Sequence, residues 1–249
     1  HAASTIGHIG TTGGATDLGA ATLVLDNVSA TTLATHTGTS GGVTQTASDT
    51  ITATTTNFGA GSGGVAIGNS GNAITTYGAN STGAVNFTNL TGGIALGNVT
   101  AASLSVDTSA ANGAVTQPGG DLNVTGVTIN AGSGAITAGS TASTIGHIGT
   151  TGGATDLSAA TLVLDNVSAT TLATHTGASG SVTQTPSDTI TVTDTLSGAN
   201  FGAGSGGVTI GNSGNSITLW GANDPSGAVS FTSTGAMTLG QVQAGTLAI

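Results

Sequence analysis

Residues Ser4 to Gly38 read STIGHIGTTGGATDLGAATLVLDNVSATTLATHTG, and the same stretch returns at Ser143 to Gly177 with one change, from Gly19 to Ser158. The two copies are offset by 139 residues. Long internal repeats are typical of solenoids and arrays, in which each unit packs mainly against its neighbours. The stretch therefore predicts one repetitive body, and it does not have the pattern of a catalytic motif.

The repeat extends well beyond this stretch. The chain divides into two long repeats, 4–142 and 143–249, and the second is truncated, because Ile249 is equivalent to Val106. Solenoids that stand alone usually end in a polar capping repeat. We therefore expect a single continuous solenoid over 1–249, which continues either in the same polypeptide or by stacking on another molecule.

The composition favours β-structure. The 249 residues include 44 glycines and ten aspartates but no lysine, arginine or glutamate, so the formal net charge is −10. Hydrophobic residues make up 37% of the chain, which is more than disordered chains usually contain. The helix formers Glu, Lys and Arg are absent and Gln and Met are scarce, while β-branched residues abound. The sequence therefore predicts an all-β fold with little or no helix.

A short pattern of apolar, small and apolar residues recurs from Val65 onward. This alternation has the period of a strand with one buried face. Glycine, asparagine, serine or aspartate follows the triplets and supplies residues that turns favour. Clear examples are Val65-Ala66-Ile67, Val85-Asn86-Phe87, Ile94-Ala95-Leu96, Leu104-Ser105-Val106, Leu122-Asn123-Val124 and Val127-Thr128-Ile129.

Within the first copy of the opening stretch, the sequence predicts separate short strands and a turn. The glycine-rich segment Thr11 to Asp17 is expected to form the turn, because glycine and aspartate favour turns. The strands are expected at 21–25, 28–32 and 33–37, where Val, Leu and Thr predominate.

Two all-β architectures compete for this pattern. A sandwich needs hairpins with two-residue turns, and Asn112-Gly113 is the one clear dipeptide of that kind. A parallel β-solenoid needs only short strands joined by bends. With two or three strands per coil of about 20 residues, the chain would form about a dozen coils and a rod roughly 60 Å long. Uncharged Thr, Ser and Asn can stack in register without repulsion, so we expect the parallel β-solenoid.

The repeats also resemble those of filamentous haemagglutinin-type exoproteins and related giant bacterial adhesins. The segment Gly92 to Val106, GGIALGNVTAASLSV, carries this resemblance, and so do Gly113 to Gln117 and Gly120 to Val124. In that family, such segments build right-handed parallel β-helices that are exported to the cell surface. The resemblance is strongest over Gly64 to Gly139 and implies an extracellular fibre.

A glycine-rich motif could be mistaken for a nucleotide site. Residues Gly59 to Gly64 satisfy GxGxxG, and the motif recurs at Gly202 to Gly207. A dinucleotide site needs a helix after the motif, and this composition makes a helix implausible. Chance matches are also expected among 44 glycines. We therefore interpret both segments as loops and predict no cofactor.

Histidines and aspartates recur at equivalent positions in the two repeats. The histidine spacing is neither HxH nor HxxxH, and the glycine- and aspartate-rich segments lack the calcium nonapeptide spacing. We therefore expect polar surface and turn positions, with no metal site. The recurring residues are His8 with His147, His36 with His175, Asp17 with Asp156, Asp26 with Asp165, and Asp49 with Asp188.

Several function classes are excluded by what the sequence lacks. Nucleic acids and anionic membranes are bound through lysine and arginine, which are absent. No apolar run approaches the roughly 20 residues that a membrane-spanning helix needs. The sequence has no adjacent pair of acidic residues and no G-x-S-x-G motif. We therefore expect no enzyme, no catalytic residues, no nucleic-acid partner and no membrane insertion.

The expected function is structural. We expect a subunit or segment of a secreted, self-assembling extracellular fibre or adhesin stalk on a bacterial surface, which associates end to end and contacts surface glycans or host and biofilm material. The alternative is an ice- or glycan-binding solenoid, because flat threonine arrays can bind such ligands. Its candidate Thr-x-Thr segments are Thr44/Thr46, Thr50/Thr52/Thr54 and Thr189/Thr191/Thr193/Thr195.

Overall fold

The computed structural model describes residues 5–89, 92–233 and 236–249. The described residues form 22 β-strands and one short 3-10 turn, and their strand pairings are all parallel. The fold is a parallel β-solenoid of about 11 turns. The predicted all-β class, the solenoid and the near absence of helix are confirmed.

Strand lengths vary from two to sixteen residues. The strands are β1 Thr5–Ala20, β2 Thr22–Thr37, β3 Gly42–Gln45, β4 Ile51–Ala60, β5 Gly64–Ile67, β6 Ala73–Ser81, β7 Ala84–Thr88, β8 Ile94–Asp107, β9 Val115–Thr116, β10 Leu122–Asn130, β11 Ile136–Gly139, β12 Thr144–Thr151, β13 Ala154–Ala159, β14 Leu162–Ala169, β15 Thr171–Thr176, β16 Ser181–Gln184, β17 Ile190–Val192, β18 Ala199–Gly202, β19 Gly207–Ile210, β20 Ser216–Ile217, β21 Leu219–Phe231 and β22 Thr238–Ala248.

Each coil lies directly on the coil before it, so equivalent residues form columns along the axis. One inward column advances by about 20 residues at each step, because each coil contributes one residue to it. This column contains Leu23, Val43, Val65, Val85, Leu104, Val127 and Ile148. The backbone hydrogen bonds of the ladder therefore run along the rod, and the apolar side chains stack inside it.

The core is narrow and aliphatic, with an aromatic cluster in each repeat. Tyr77 packs between Phe58 and Phe87, with ring centroids 5.4 Å and 4.5 Å apart. Trp220 takes the equivalent position in the second repeat and packs against Phe201 and Phe231. Its indole Nε1 donates a hydrogen bond to the carbonyl of Ile217 at 2.8 Å, whereas the buried hydroxyl of Tyr77 has no hydrogen-bond partner. Tilted ring pairs of this kind add stability beyond their buried area.

Buried asparagine side chains accept backbone hydrogen bonds at one corner of the coil. Asn72 is fully buried, and its Oδ1 accepts hydrogen bonds from the backbone N–H of Ile51 at 2.8 Å and from Gln45 Nε2 at 2.7 Å. Asn215 makes the same two bonds with Ile190 and Gln184 in the second repeat. Buried polar groups are tolerated when they are hydrogen-bonded, so these side chains replace backbone partners where the chain turns.

The predicted turn at Thr11 to Asp17 is wrong. These residues lie inside β1, where Thr11 pairs with Val28 and Asp17 pairs with Ala34 of β2. The local preference of glycine for turns is overridden because a full parallel partner is available. In the second copy the equivalent segment is interrupted only at Gly152 and Gly153.

The separate strands predicted at 21–25, 28–32 and 33–37 are one strand, β2, which follows the coil around its bends. Asn112-Gly113 does not form a hairpin. It follows the 3-10 turn Ser109–Ala111, where Asn112 adopts φ 51°, and it joins the parallel strands β8 and β9.

Candidate functional surfaces

The first coil exposes residues that the second copy of the same sequence buries. Ile148 and Leu157 are fully buried, whereas their equivalents Ile9 and Leu18 are only partly buried. The cause is stacking: β10 and β11 lie on β12 and β13, and within the described residues no coil lies on the far side of β1. The second copy therefore shows how deeply the same side chains are buried when a neighbouring coil covers them.

The last coil shows the same contrast. Leu239 and Leu247 of β22 are 39% and 45% exposed, whereas their equivalents in β8, Leu96 and Leu104, are buried. In the first repeat, β9 and β10 cover that coil. Each end of the described rod therefore presents an apolar row flanked by unpaired strand edges, which are templates for further pairing.

Four histidines on the coils each pair with an aspartate one coil away. Such pairs follow directly from the column register, since the two residues of a pair lie on neighbouring coils. The pairs are His8 with Asp26 (2.8 Å), His36 with Asp17 (3.2 Å), His147 with Asp165 (3.2 Å) and His175 with Asp156 (3.2 Å). Histidine, when it is protonated, is the cationic side chain of a chain without lysine or arginine.

The His8 pair has the clearest electrostatic effect. Its Nδ1 lies 2.8 Å from Oδ1 of Asp26, which also accepts a hydrogen bond from the Thr46 hydroxyl at 2.7 Å. The hydrogen bond and charge of Asp26 raise the pKa of His8, and the same contact with His8 lowers the pKa of Asp26. The arrangement recurs in the second repeat, where Thr185 donates to Asp165 at 2.7 Å.

Asp49 and Asp188, by contrast, organise turns. Asn27 Nδ2 donates to Asp49 Oδ1, and Asn27 Oδ1 accepts the backbone N–H of Thr50 at 3.0 Å. Asn166 makes equivalent bonds to Asp188 and Thr189. Among the described residues, no group of three or more His or Asp side chains is placed to hold a metal ion. The absence of a metal site stays a prediction from the sequence.

The two GxGxxG segments connect successive strands: their central residues, 61–63 and 203–206, lie in loops, as predicted, and their ends lie in the flanking strands. β4 ends at Ala60, and β5 begins at Gly64, which has φ 75°. The second motif spans the connection from β18 to β19, and Gly207 has φ 87°. These glycines allow a tight bend next to the neighbouring coil, and they do not introduce a helix.

The Thr-x-Thr segments do not build a broad threonine face. Thr52 has Ser29 and Ala73 as its neighbours along the axis, so its column alternates with other residues. Elsewhere, Thr32, Thr55 and Thr76 do stack on three successive coils, and that run ends at Ala15 and Ala95. A single run of three threonines is a small contact surface for binding ice.

One lateral groove had not been predicted from the sequence. It encloses about 270 Å³ across three successive coils near the end of the second repeat. It is lined by Ser197, Ala199, Asn200, Leu219, Gly221, Ala222, Asn223, Gly240, Gln241 and Gln243. The available signal was a subset of the substitutions between the two repeats, which fall at five of these lining positions.

No helix among the described residues is long and apolar enough to cross a membrane.

Comparisons with known proteins bear on the repeats alone. Residues 82–151 match a family described as repeats of unknown function (DUF5649). Searches of curated proteins and of solved structures gave no match. The matched segment runs from just before β7 through β12 and so crosses the junction between the two long repeats. The chain is therefore a β-helix repeat protein with a segment similar to those repeats.

Proposed function

We propose that the chain is a structural segment of a secreted fibre or adhesin stalk on a bacterial surface, and that it has no catalytic role. The axial ladder and the continuous apolar core support this proposal, because they give a rod that is stiff along its length. At about 4.8 Å per coil, 11 turns correspond to about 53 Å. The resemblance of the repeats to bacterial adhesin β-helices supports export to the cell surface.

The observation that carries the proposal is the difference in burial between the two nearly identical copies of this coil. Ile9 and Leu18 are partly exposed, and Ile148 and Leu157 are buried under a neighbouring coil. The first coil has nearly the same side chains and strand edge as the coil that is covered in the second repeat, so a neighbouring coil can pack on it in the same way. We propose that axial stacking on a second copy of this chain buries both end coils and builds the fibre.

The experiment measures association of the purified protein as its concentration rises. Sedimentation velocity should show species of increasing length, and negative-stain electron microscopy should show rods in multiples of about 53 Å. Replacing Leu247→Asp places a charge in the apolar row of the last coil. This variant should fold normally, as judged by circular dichroism, and should remain monomeric.

A matched control distinguishes axial stacking from non-specific hydrophobic association. Leu196 is 87% exposed on a lateral loop, so Leu196→Asp should leave association unchanged. The proposal is contradicted if the unmodified protein stays monomeric at millimolar concentration, or if Leu247→Asp and Leu196→Asp reduce association equally. Hydrolysis of polysaccharides by the folded protein would contradict the proposal that the chain has no catalytic role.

A further inference from the structure

The lateral groove lies where several residues of the second repeat differ from their equivalents in the first. Five of its ten lining positions depart from the first repeat, whereas the opening 35-residue stretch changes at one position. Leu219 replaces Thr76, Gln241 replaces Asn98, and Gln243 replaces Thr100. The remaining changes are Ala199 in place of Thr56 and the inserted Ser197. These substitutions share one location, although they lie on three different coils.

The groove combines an apolar strip with a set of amides. A β-carbon at Gly240 would lie 3.4 Å from Cδ1 of Leu219, so the leucine side chain lies across this glycine. Asn200 and Asn223 are exposed on the first two coils, and Gln243 continues the Asn223 column onto the third. With Gln241 beside it, the groove presents amide donors and acceptors next to a leucine surface.

The inserted loop forms a fixed rim to this groove. Asp194 Oδ1 accepts the backbone N–H groups of Leu196 at 2.6 Å and Ser197 at 3.1 Å. These two bonds also lower the pKa of Asp194, so the side chain stays ionised and keeps its hold on the loop at neutral pH. The loop therefore places Ser197 against the groove and leaves Leu196 exposed beside it.

We infer that this groove binds a neutral oligosaccharide, independently of the proposed structural function. Sugar hydroxyls both donate and accept hydrogen bonds, and side-chain amides complement them in both senses. The apolar C–H face of a pyranose ring fits against the strip formed by Leu219 and Gly240. A groove that crosses successive coils suits an extended chain of sugar units that lies along the rod axis.

The charge of the molecule selects against other glycans. None of the ten lining residues is ionisable, and the chain has no lysine or arginine and a formal charge of −10. A sulfated or uronic-acid polymer would meet a repulsive field without a cationic partner. Recognition by neutral hydrogen bonds and apolar contact also predicts binding that changes little with salt.

The test is a calorimetric titration of the full chain with three neutral probes: cellohexaose, laminarihexaose and maltohexaose. We expect at least one to bind, and we expect its affinity to be similar at low and high salt. Asn223→Ala and Gln243→Ala should each weaken binding about tenfold, because each removes hydrogen bonds to the ligand. Leu219→Thr, which restores the residue of the first repeat, should weaken binding by removing the apolar strip.

The first repeat supplies matched controls. Asn80→Ala and Thr100→Ala alter the equivalent exposed positions and should leave affinity unchanged. The inference is overturned if none of the probes binds, if the controls weaken binding as much as the groove variants, or if a heparin oligosaccharide binds more tightly than the neutral probes. Circular dichroism of every variant confirms that a loss of binding does not come from a loss of fold.

Discussion

At the scale of single residues, Asp224 is a buried carboxylate of the second repeat that has only part of its hydrogen-bonding capacity used. It is fully buried, its Oδ1 accepts the backbone N–H of Gly227 at 2.7 Å, and its Oδ2 has no hydrogen-bond partner. Ser81 occupies the equivalent position in the first repeat. Its hydroxyl donates to the carbonyl of Gly61 at 3.1 Å and accepts the N–H of Gly83 at 3.0 Å.

Replacing Asp224→Ser should therefore stabilise the protein by about 1–2 kcal/mol, because it removes an unpartnered buried oxygen and allows both bonds of the first repeat. Urea denaturation followed by circular dichroism measures this change. Ser81→Ala is the companion variant and should destabilise by about 1 kcal/mol. A lower midpoint for Asp224→Ser would show that its second oxygen has a stabilising partner.

The His8–Asp26 pair should titrate as a unit. The pKa of His8 is raised above its ordinary value of 6.5, so its contribution to stability is complete below that pH and is lost as pH rises through the raised pKa. The pKa of Asp26 is lowered from 3.8, so its contribution is complete above that pH and is lost on acidification through the lowered pKa. The pair therefore contributes fully between about pH 4 and 6.5.

Nuclear magnetic resonance titration of the imidazole protons measures the pKa of His8 directly. Asp26→Asn should move it down towards 6.5, because the charge of the carboxylate is lost and the amide oxygen is a weaker hydrogen-bond acceptor. Asp17→Asn changes the partner of His36 instead and should leave His8 unaffected. An unchanged pKa in Asp26→Asn would mean that the pair is not formed in solution.

At the scale of elements, strand boundaries depend on the neighbouring coil more than on local sequence. Thr11 to Asp17 has turn composition, yet it is extended in β1 because β2 pairs with it along its length. The bends, by contrast, follow local chemistry. Gly64 and its equivalent Gly207 both have positive φ and lie at the start of a strand, against the carbonyls of Ala84 and Ala228.

Gly64→Ala should therefore destabilise the protein by about 2–4 kcal/mol, since the new methyl group meets both an unfavourable backbone angle and the Ala84 carbonyl. Thermal or urea denaturation provides the measurement. Gly126 lies within β10, has no positive φ, and a β-carbon there would meet no atom within 4 Å. Gly126→Ala should change stability by less than about 0.5 kcal/mol, and an equal loss in both variants would contradict the proposed role of Gly64.

At the scale of the whole molecule, the solenoid could be predicted because each short strand carries the alternating apolar pattern of the core in its own sequence. Triplets such as Val85-Asn86-Phe87 carry the strand period, and the scarcity of charged side chains limits repulsion between stacked coils. The lateral groove could not be predicted in this way. Its lining residues come from three successive coils, as Asn200, Asn223 and Gln243 do, and they meet only because the coil lengths bring them into one register. The same holds for His8 and Asp26.

The column register also gives the molecule an axial scale. Seven steps, from Ile6 through Leu23 to the coil of Ile148, carry the chain from one copy of the opening stretch to the next. At about 4.8 Å per step, the copies lie about 34 Å apart. The sequence offset of 139 residues thus corresponds to one axial separation of about 34 Å between the two copies. Any label, antibody or ligand that recognises this stretch would be spaced at that interval along the rod.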